Sequence, residues 1–179
     1  MLDGTRAYLH AVIDNFSRRI LAWTLLDRFD PASTVEILVA AGRAVDGLIS
    51  PPTLLADAGV ENRNRQVDEL IASGLLRRVL AMAEIRFSNS VIEAWWRALK
   101  HQWLFLHHLD SVSKLRSLVA FYVDEHNTRI PHSAFQGQTP DEMYFGTGCG
   151  VPAQLAATKE AARHARLDQN RSRRRAVCA

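Results

Sequence analysis

Two carboxylates, Asp57 and Glu93, stand in settings where acidic side chains can do chemistry, with 35 residues between them. Asp57 closes the apolar run Pro52-Thr53-Leu54-Leu55-Ala56, and Gly59 lets the backbone turn sharply just after it. Glu93 opens an amphipathic stretch, Ser90-Val91-Ile92-Glu93-Ala94-Trp95-Trp96-Arg97-Ala98-Leu99-Lys100, in which positions 93, 97 and 100 share one helical face. A strand end and a helix start can bring two carboxylates to one sheet edge. Hard cations such as Mg²⁺ prefer oxygen ligands and keep several waters, so few carboxylates suffice. A pair of such ions about 3.5–4 Å apart can clamp a phosphodiester. Each residue also has a plain structural explanation. An Asp at a strand–loop boundary commonly closes a turn, and Ser90-x-x-Glu93 is a capping-box pattern.

The elements that must position this pair follow from periodicity and breakers. Asp3-Gly4 reads as a turn dipeptide. Residues 6–13 alternate as a strand, with Ala7, Leu9, Ala11 and Ile13 on one face and Tyr8 and Val12 on the other. Asp14-Asn15-Phe16-Ser17 is turn chemistry. Residues 19–26 form a second strand, expected to pair antiparallel with the first, with Ile20, Ala22 and Trp23 in the core. Asp30-Pro31 signals a helix start, and Val35, Leu38, Val39, Gly42 and Val45 give that helix its spacing. Residues 53–56 form a short buried strand. Residues 66–73 form a helix with Val67, Leu70 and Ile71 inward and Gly74 as its cap. A strand over 77–81, a further extended piece over 84–87, and helices over 91–103 and 112–125 follow. Leu115, Leu118, Val119 and Tyr122 are the core face of the last of these. Residues 126–140 read as a loop, and a final helix begins near Pro152. Strands with crossover helices predict an α/β sheet covered on its faces.

Bulk properties narrow the classes. The 179 residues suffice for one domain and an appendage. Apolar content of 47% and charged content of 23% are those of an ordinary globular protein. No apolar run reaches the roughly 18 residues of a membrane span, and no N-terminal signal pattern is present. Two cysteines, Cys149 and Cys178, make neither a disulfide framework nor a zinc site, so the cytoplasm is the expected compartment. His107, His108, His126 and His132 lack cysteine partners at zinc spacing. His132 reads as a structural residue of a Pro-His-Ser-Ala turn. The net charge of +3 is uneven. From Lys159 to Arg175, seven Lys/Arg face only Glu160 and Asp168, so this stretch carries +5 and the remainder −2. Such a basic end suits a polyanion partner.

Four blocks in order raise the reading of the carboxylates above chance. They are Asp14-Asn15-Phe16-Ser17-Arg18-Arg19-Ile20-Leu21-Ala22-Trp23, Asp57, the Glu93 segment with Lys100 seven residues on, and His126-Asn127-Thr128-Arg129-Ile130-Pro131-His132-Ser133-Ala134-Phe135 followed by Thr139-Pro140-Asp141-Glu142. Together they resemble the D,D-35-E catalytic core of bacterial insertion-sequence transposases and retroviral-type integrases. The resemblance covers residues 8–145. It implies a ribonuclease H-like mixed sheet flanked by helices, a core over residues 1–147 and a helical basic extension over 148–179. It implies Asp57 and Glu93 as catalytic, metal-binding carboxylates for Mg²⁺ or Mn²⁺. Arg97 and Lys100 would face DNA, with Arg171, Arg173, Arg174 and Arg175 as further DNA-binding residues. DNA, as transposon ends and target, is the implied partner, with self-association into a homo-oligomer and no membrane.

The third carboxylate of the pattern, on the first strand, has no counterpart here. Asp3 belongs to a turn, and Asp14 lies at the end of its strand that faces the opposite edge. The expectation is an N-terminally shortened core, missing its first strand, that holds metal weakly and catalyses poorly. The alternatives are a non-catalytic DNA-binding remnant and a ribonuclease H-like nuclease. The Pro-His-Ser-Ala segment and the basic end argue against the nuclease.

Overall fold

A computed structural model describes residues 4–28, 30, 32–45, 50–57, 59, 62–80 and 90–177, with side chains to residue 173. The chain divides into two compact units, Met1–Glu125 and His126–Ala179.

In the first unit, β1 (Tyr8–Ile13) pairs antiparallel with β2 (Ile20–Leu26), from Tyr8 opposite Leu26 to Ile13 opposite Ile20, with an irregularity between Val12 and Ile13. The connecting turn is fixed by Asp14, whose Oδ2 accepts from the Ser17 backbone N–H at 2.7 Å, and by Arg18 in the left-handed region at φ 65°. Helix α1 (Ala32–Ala44) is capped by Asp30, whose Oδ1 accepts from Ala32 N–H at 2.9 Å. Its buried face is Ser33, Thr34, Ile37, Leu38, Ala41 and Gly42. The inward row is therefore Ile37 and Ala41 beside Leu38, while Val39 and Val45 are only half-buried. Val35, Ile37, Leu38, Val39 and Ala41 point to several sides of this helix, so spacing alone does not choose the face.

Strand β3 (Thr53–Ala56) pairs in parallel with β4 (Arg77–Leu80), joined by the crossover helix α2 (Arg65–Ala72). Asn64 caps α2 through Val67 N–H, and Gly74, at φ 82°, lets the chain leave the helix. The extended piece anticipated at 84–87 lies outside the described residues. Helix α3 (Ser90–Gln102) and helix α4 (Val112–Thr128) follow. The helix of residues 112–125 thus continues through His126, Asn127 and Thr128 rather than giving way to a loop.

Two clusters cover the two faces of the β1–β2 ladder. On one side, Trp95 and Leu99 of α3 and Leu115, Leu118, Val119, Tyr122 and Val123 of α4 pack with Ile20 and Leu25, joined by Ala7, Leu9, Ala11 and Ile13. On the other, Ile37 and Leu38 of α1, Val67 of α2 and Leu76 gather Val12, Ala22, Leu54, Leu70 and Ile71. The period-2 alternation of β1 thus distributes its side chains between two helical layers.

Between the strand pairs lies a cavity of about 270 Å³, lined by Ala11, Val12 and Ile13 of β1, by Thr53, Leu54 and Leu55 of β3, and by Val91 and Ile92 of α3. Successive strand side chains point to opposite faces. Three consecutive residues from each strand therefore line the cavity along strand edges rather than faces. Among the described residues the strands form two two-stranded ladders.

In the second unit, a 3-10 turn (Ser133–Phe135) precedes α5 (Pro140–Phe145) and the 27-residue α6 (Val151–Val177). Helix α5 begins where the loop expected over 126–140 ends, in a stretch for which the sequence pattern offers no element, although it carries a full capping box. Glu142 N–H donates to Thr139 Oγ1 at 3.2 Å, Thr139 N–H donates to Glu142 Oε2 at 2.8 Å, and Pro140 takes the first turn. Its brevity hid the apolar period on which helix recognition relies.

Candidate functional site

Asp57 follows directly on the last residue of β3 and is exposed. Its Oδ1 accepts from Gly59 N–H at 3.1 Å and from Asn62 Nδ2 at 2.8 Å, an Asx-type closure that fixes the carboxylate on its loop. The loop is tied down in turn. Arg78 of β4 donates to the Asn62 carbonyl oxygen at 2.8 Å and pairs with Asp68 of α2 at 2.6 Å. The parallel ladder places Arg78 opposite Leu54, alongside the strand that ends at Asp57. Neither Asn62 nor Arg78 was singled out from sequence. Asn62 had a local signal, lying five residues from Asp57 in a turn-rich stretch. Arg78 had none, because only strand pairing brings it there.

Glu93 occupies the first turn of α3 and is exposed. It lines a shallow groove with Trp96, Arg97, Lys100 and His101, so the face expected from the 93/97/100 spacing forms one surface. Behind it, Trp95 and Leu99 are 4% and 0% exposed and anchor the helix. Trp95 meets Trp96 edge-on, with ring centroids 4.8 Å apart, and Trp103 donates its indole N–H to the Leu118 carbonyl at 3.0 Å. The tryptophans thus serve packing. Ser90, expected to cap α3 in a box with Glu93, is the first residue of the helix itself.

The cavity between the strand pairs is lined by sequence neighbours of both carboxylates. Leu55, two residues before Asp57, and Ile92, next to Glu93, line the same space. Both side chains are oxygen donors of the kind Mg²⁺ takes. Among the described residues no group of three or more His, Cys, Asp or Glu side chains is gathered around one point. The donor chemistry fits a divalent cation, and the number of donors is small. Asp14 also borders the cavity, with its carboxylate engaged by Ser17.

His132 Nδ1 accepts from Ala134 N–H at 3.3 Å and its ring lies against Phe135, as a turn residue would. Of the basic end, Arg171 is exposed and pairs with Asp168 at 3.6 Å, and Arg173 is exposed. The side chains of Arg174 and Arg175 lie outside the described residues.

Residues 86–140, which include Glu93, Arg97 and Lys100, match the integrase core domain family. Over 141 residues the chain is 23% identical to the putative transposase InsK for insertion sequence element IS150 of Escherichia coli (strain K12). The family match and the likeness to InsK support a DDE transposase/integrase core in this chain. The InsK alignment takes in 79% of this chain and 50% of that transposase, so the core spans about half the length of that curated relative. Among solved structures, the core is similar to a chain of the simian T-cell lymphotropic virus intasome in complex with the PP2A regulatory subunit B56 gamma. There the TM-score is 0.61 at 16% identity, covering 78% of this chain and 48% of that one. It is also similar to the HTLV-2 integrase catalytic core domain in complex with magnesium, with TM-score 0.56 at 13% identity, covering 78% and 90%. These likenesses establish the fold as ribonuclease H-like. Among the described residues no helix of the core is long and apolar enough to cross a membrane.

Proposed function

We propose that this chain serves DNA integration as the core of a metal-dependent polynucleotidyl transferase, with transposon ends and target DNA as substrates. One observation carries the reading. Leu55, two residues before Asp57, and Val91 and Ile92, just before Glu93, line one cavity, and Glu93 falls in the segment that matches integrase cores. Asp57 and Glu93 would hold Mg²⁺ or Mn²⁺. A cation held there would supply the charge that polarises a phosphodiester and activates an attacking water or 3′-hydroxyl. The protein's own work is placement. The Asn62–Arg78–Asp68 chain of contacts holds the Asp57 loop, and the Trp95–Leu99 anchor sets the pitch of the groove that carries Glu93, Arg97 and Lys100. Arg97 and Lys100 face the DNA there, and Arg171, Arg173, Arg174 and Arg175 add phosphate affinity. The HTLV-2 core has been solved in dimeric and trimeric forms, which supports a homo-oligomer here. The cytoplasm is the compartment of this activity.

Held by Asp57 and Glu93 alone, a divalent cation would bind weakly, and strand transfer resting on this pair alone would be impaired. A second reading is a transposase-derived DNA-binding protein without catalysis, which the exposed basic side chains of α6 favour. A Mg²⁺-dependent strand-transfer assay run beside duplex binding separates them. In an impaired enzyme, Glu93→Gln removes a low residual activity and leaves DNA binding intact. In a remnant there is no activity to remove. Robust strand transfer by this chain would overturn the impairment, and loss of DNA binding in Glu93→Gln would assign Glu93 to the interface instead.

A further inference from the structure

Helix α6 raises a physical question of its own. It runs for 27 residues, about 40 Å at 1.5 Å per residue, and every side chain from Ala153 to Arg173 is exposed. Helices in proteins generally draw their stability from a packed apolar face; here only the first turns, at Pro152, Leu155 and Ala156, border the turn of residues 131–137, and the described side chains beyond them are exposed. Leu155 and Leu167 are its exposed large apolar residues, and at 100° per residue they point about 120° apart. The helix is therefore not built to lie in a membrane surface, which needs a continuous apolar face.

Its charges, by contrast, are sorted. Glu160 is paired with His164 at 2.8 Å and Asp168 with Arg171 at 3.6 Å. Lys159, Arg163, Arg166 and Arg173 recur with steps of four, three and seven residues, and Asn170 fills the remaining place. They fall within about 40° either side of one line along the helix, which contains no carboxylate. Arg171 lies about 120° from that line, beside Asp168. The row spans roughly 21 Å, the length of about six base pairs, and three of its four cations are guanidinium groups, whose planar fork suits phosphate oxygens.

We propose that the Lys159–Arg163–Arg166–Arg173 row of α6 is a sequence-independent docking surface for the phosphate backbone of duplex DNA. The proposal rests on the DNA-integration reading above and refines it, placing the affinity of the basic end in one row rather than in the terminal arginine cluster as a whole.

The test is duplex binding by fluorescence anisotropy at several salt concentrations, with the full chain and a 20-base-pair probe of arbitrary sequence. Four phosphate contacts give a slope of about −3.6 in log affinity against log salt, so affinity falls about 150-fold between 50 and 200 mM salt. Replacing all four residues by Gln, a good helix former, should flatten the slope by about that amount. The pairs Lys159→Gln/Arg163→Gln and Arg166→Gln/Arg173→Gln should each remove about half of it. Arg65→Gln, which removes one cation on α2, should leave the slope unchanged. Circular dichroism confirms that the helix persists. A quadruple variant with the parental slope overturns the row alone and leaves the integration reading standing. No duplex binding by the intact chain at low salt overturns both. Equal loss of binding in Arg65→Gln, or binding of anionic vesicles in place of DNA, also overturns the proposal.

Discussion

The Asp57 carboxylate carries two roles that one substitution can separate. It closes its own loop through two hydrogen bonds to a single oxygen, at 3.1 and 2.8 Å, and it is proposed to hold a divalent cation. Asp57→Ala removes both bonds. At an exposed site each is worth about 0.5 kcal/mol, so the loss is about 1 kcal/mol, or about 2–4 °C in melting temperature for a chain of this size. Asp57→Asn keeps a carbonyl oxygen able to accept from Gly59 and Asn62, so its melting temperature without metal should stay close to that of the parent. The charge, however, is gone. At Mg²⁺ about tenfold above its dissociation constant, binding to the native state adds about 1.4 kcal/mol, an upward shift of about 3–6 °C. The assay is thermal unfolding in EDTA and across a Mg²⁺ titration. The parent should show the metal-dependent rise, Asp57→Asn should lack it, and Asp57→Ala should lack it from a lowered baseline. If Asp57→Asn keeps the full rise, or the parent has none, Asp57 is a loop-closing residue and the metal assignment is wrong.

Two further outcomes follow from the packing. Leu99, fully buried beneath the groove that carries Glu93, should cost about 2–5 kcal/mol as Leu99→Ala, read as a drop in denaturation midpoint; a change under about 1 kcal/mol would mean that α3 is not anchored there. Burial pushes the Tyr122 hydroxyl above its ordinary value of 10.0. The folded state thus favours the protonated phenol, and this contribution to stability is intact below pH 10 and lost as pH rises through the folded value. Urea titrations between pH 9 and 11.5 should show a steeper alkaline loss in the parent than in Tyr122→Phe, and identical profiles would remove Tyr122 as a cause.

The elements around the site were written in the chain in simple terms. Alternation in residues 7–13 assigned both faces of β1, because side chains on a pleated strand have no other freedom. The turn at Asp14–Ser17, the caps at Asp30 and Gly74, and the apolar seam of α4 were equally local. Local signals also placed Asp57 at a strand end and Glu93 on a groove with Arg97 and Lys100. In α1, whose apolar residues point to several sides and whose buried face includes Ser33 and Thr34, the buried row was decided by what it packs against. The short α5 was missed despite its capping box, because six residues show too little periodicity.

Other features belong to the tertiary structure alone. Parallel pairing of β3 with β4, across an intervening helix, brings Arg78 to the Asp57 loop, and no spacing rule reaches over that connection. The cavity bordered by strand edges and by the start of α3 exists only once the ladders and helices are assembled. On α6 the sequence determined how much positive charge the end of the chain carries. Folding as one long exposed helix, with its carboxylates engaged on the other side, decided that four of those charges stand in a row, because helical geometry turns linear spacing into direction.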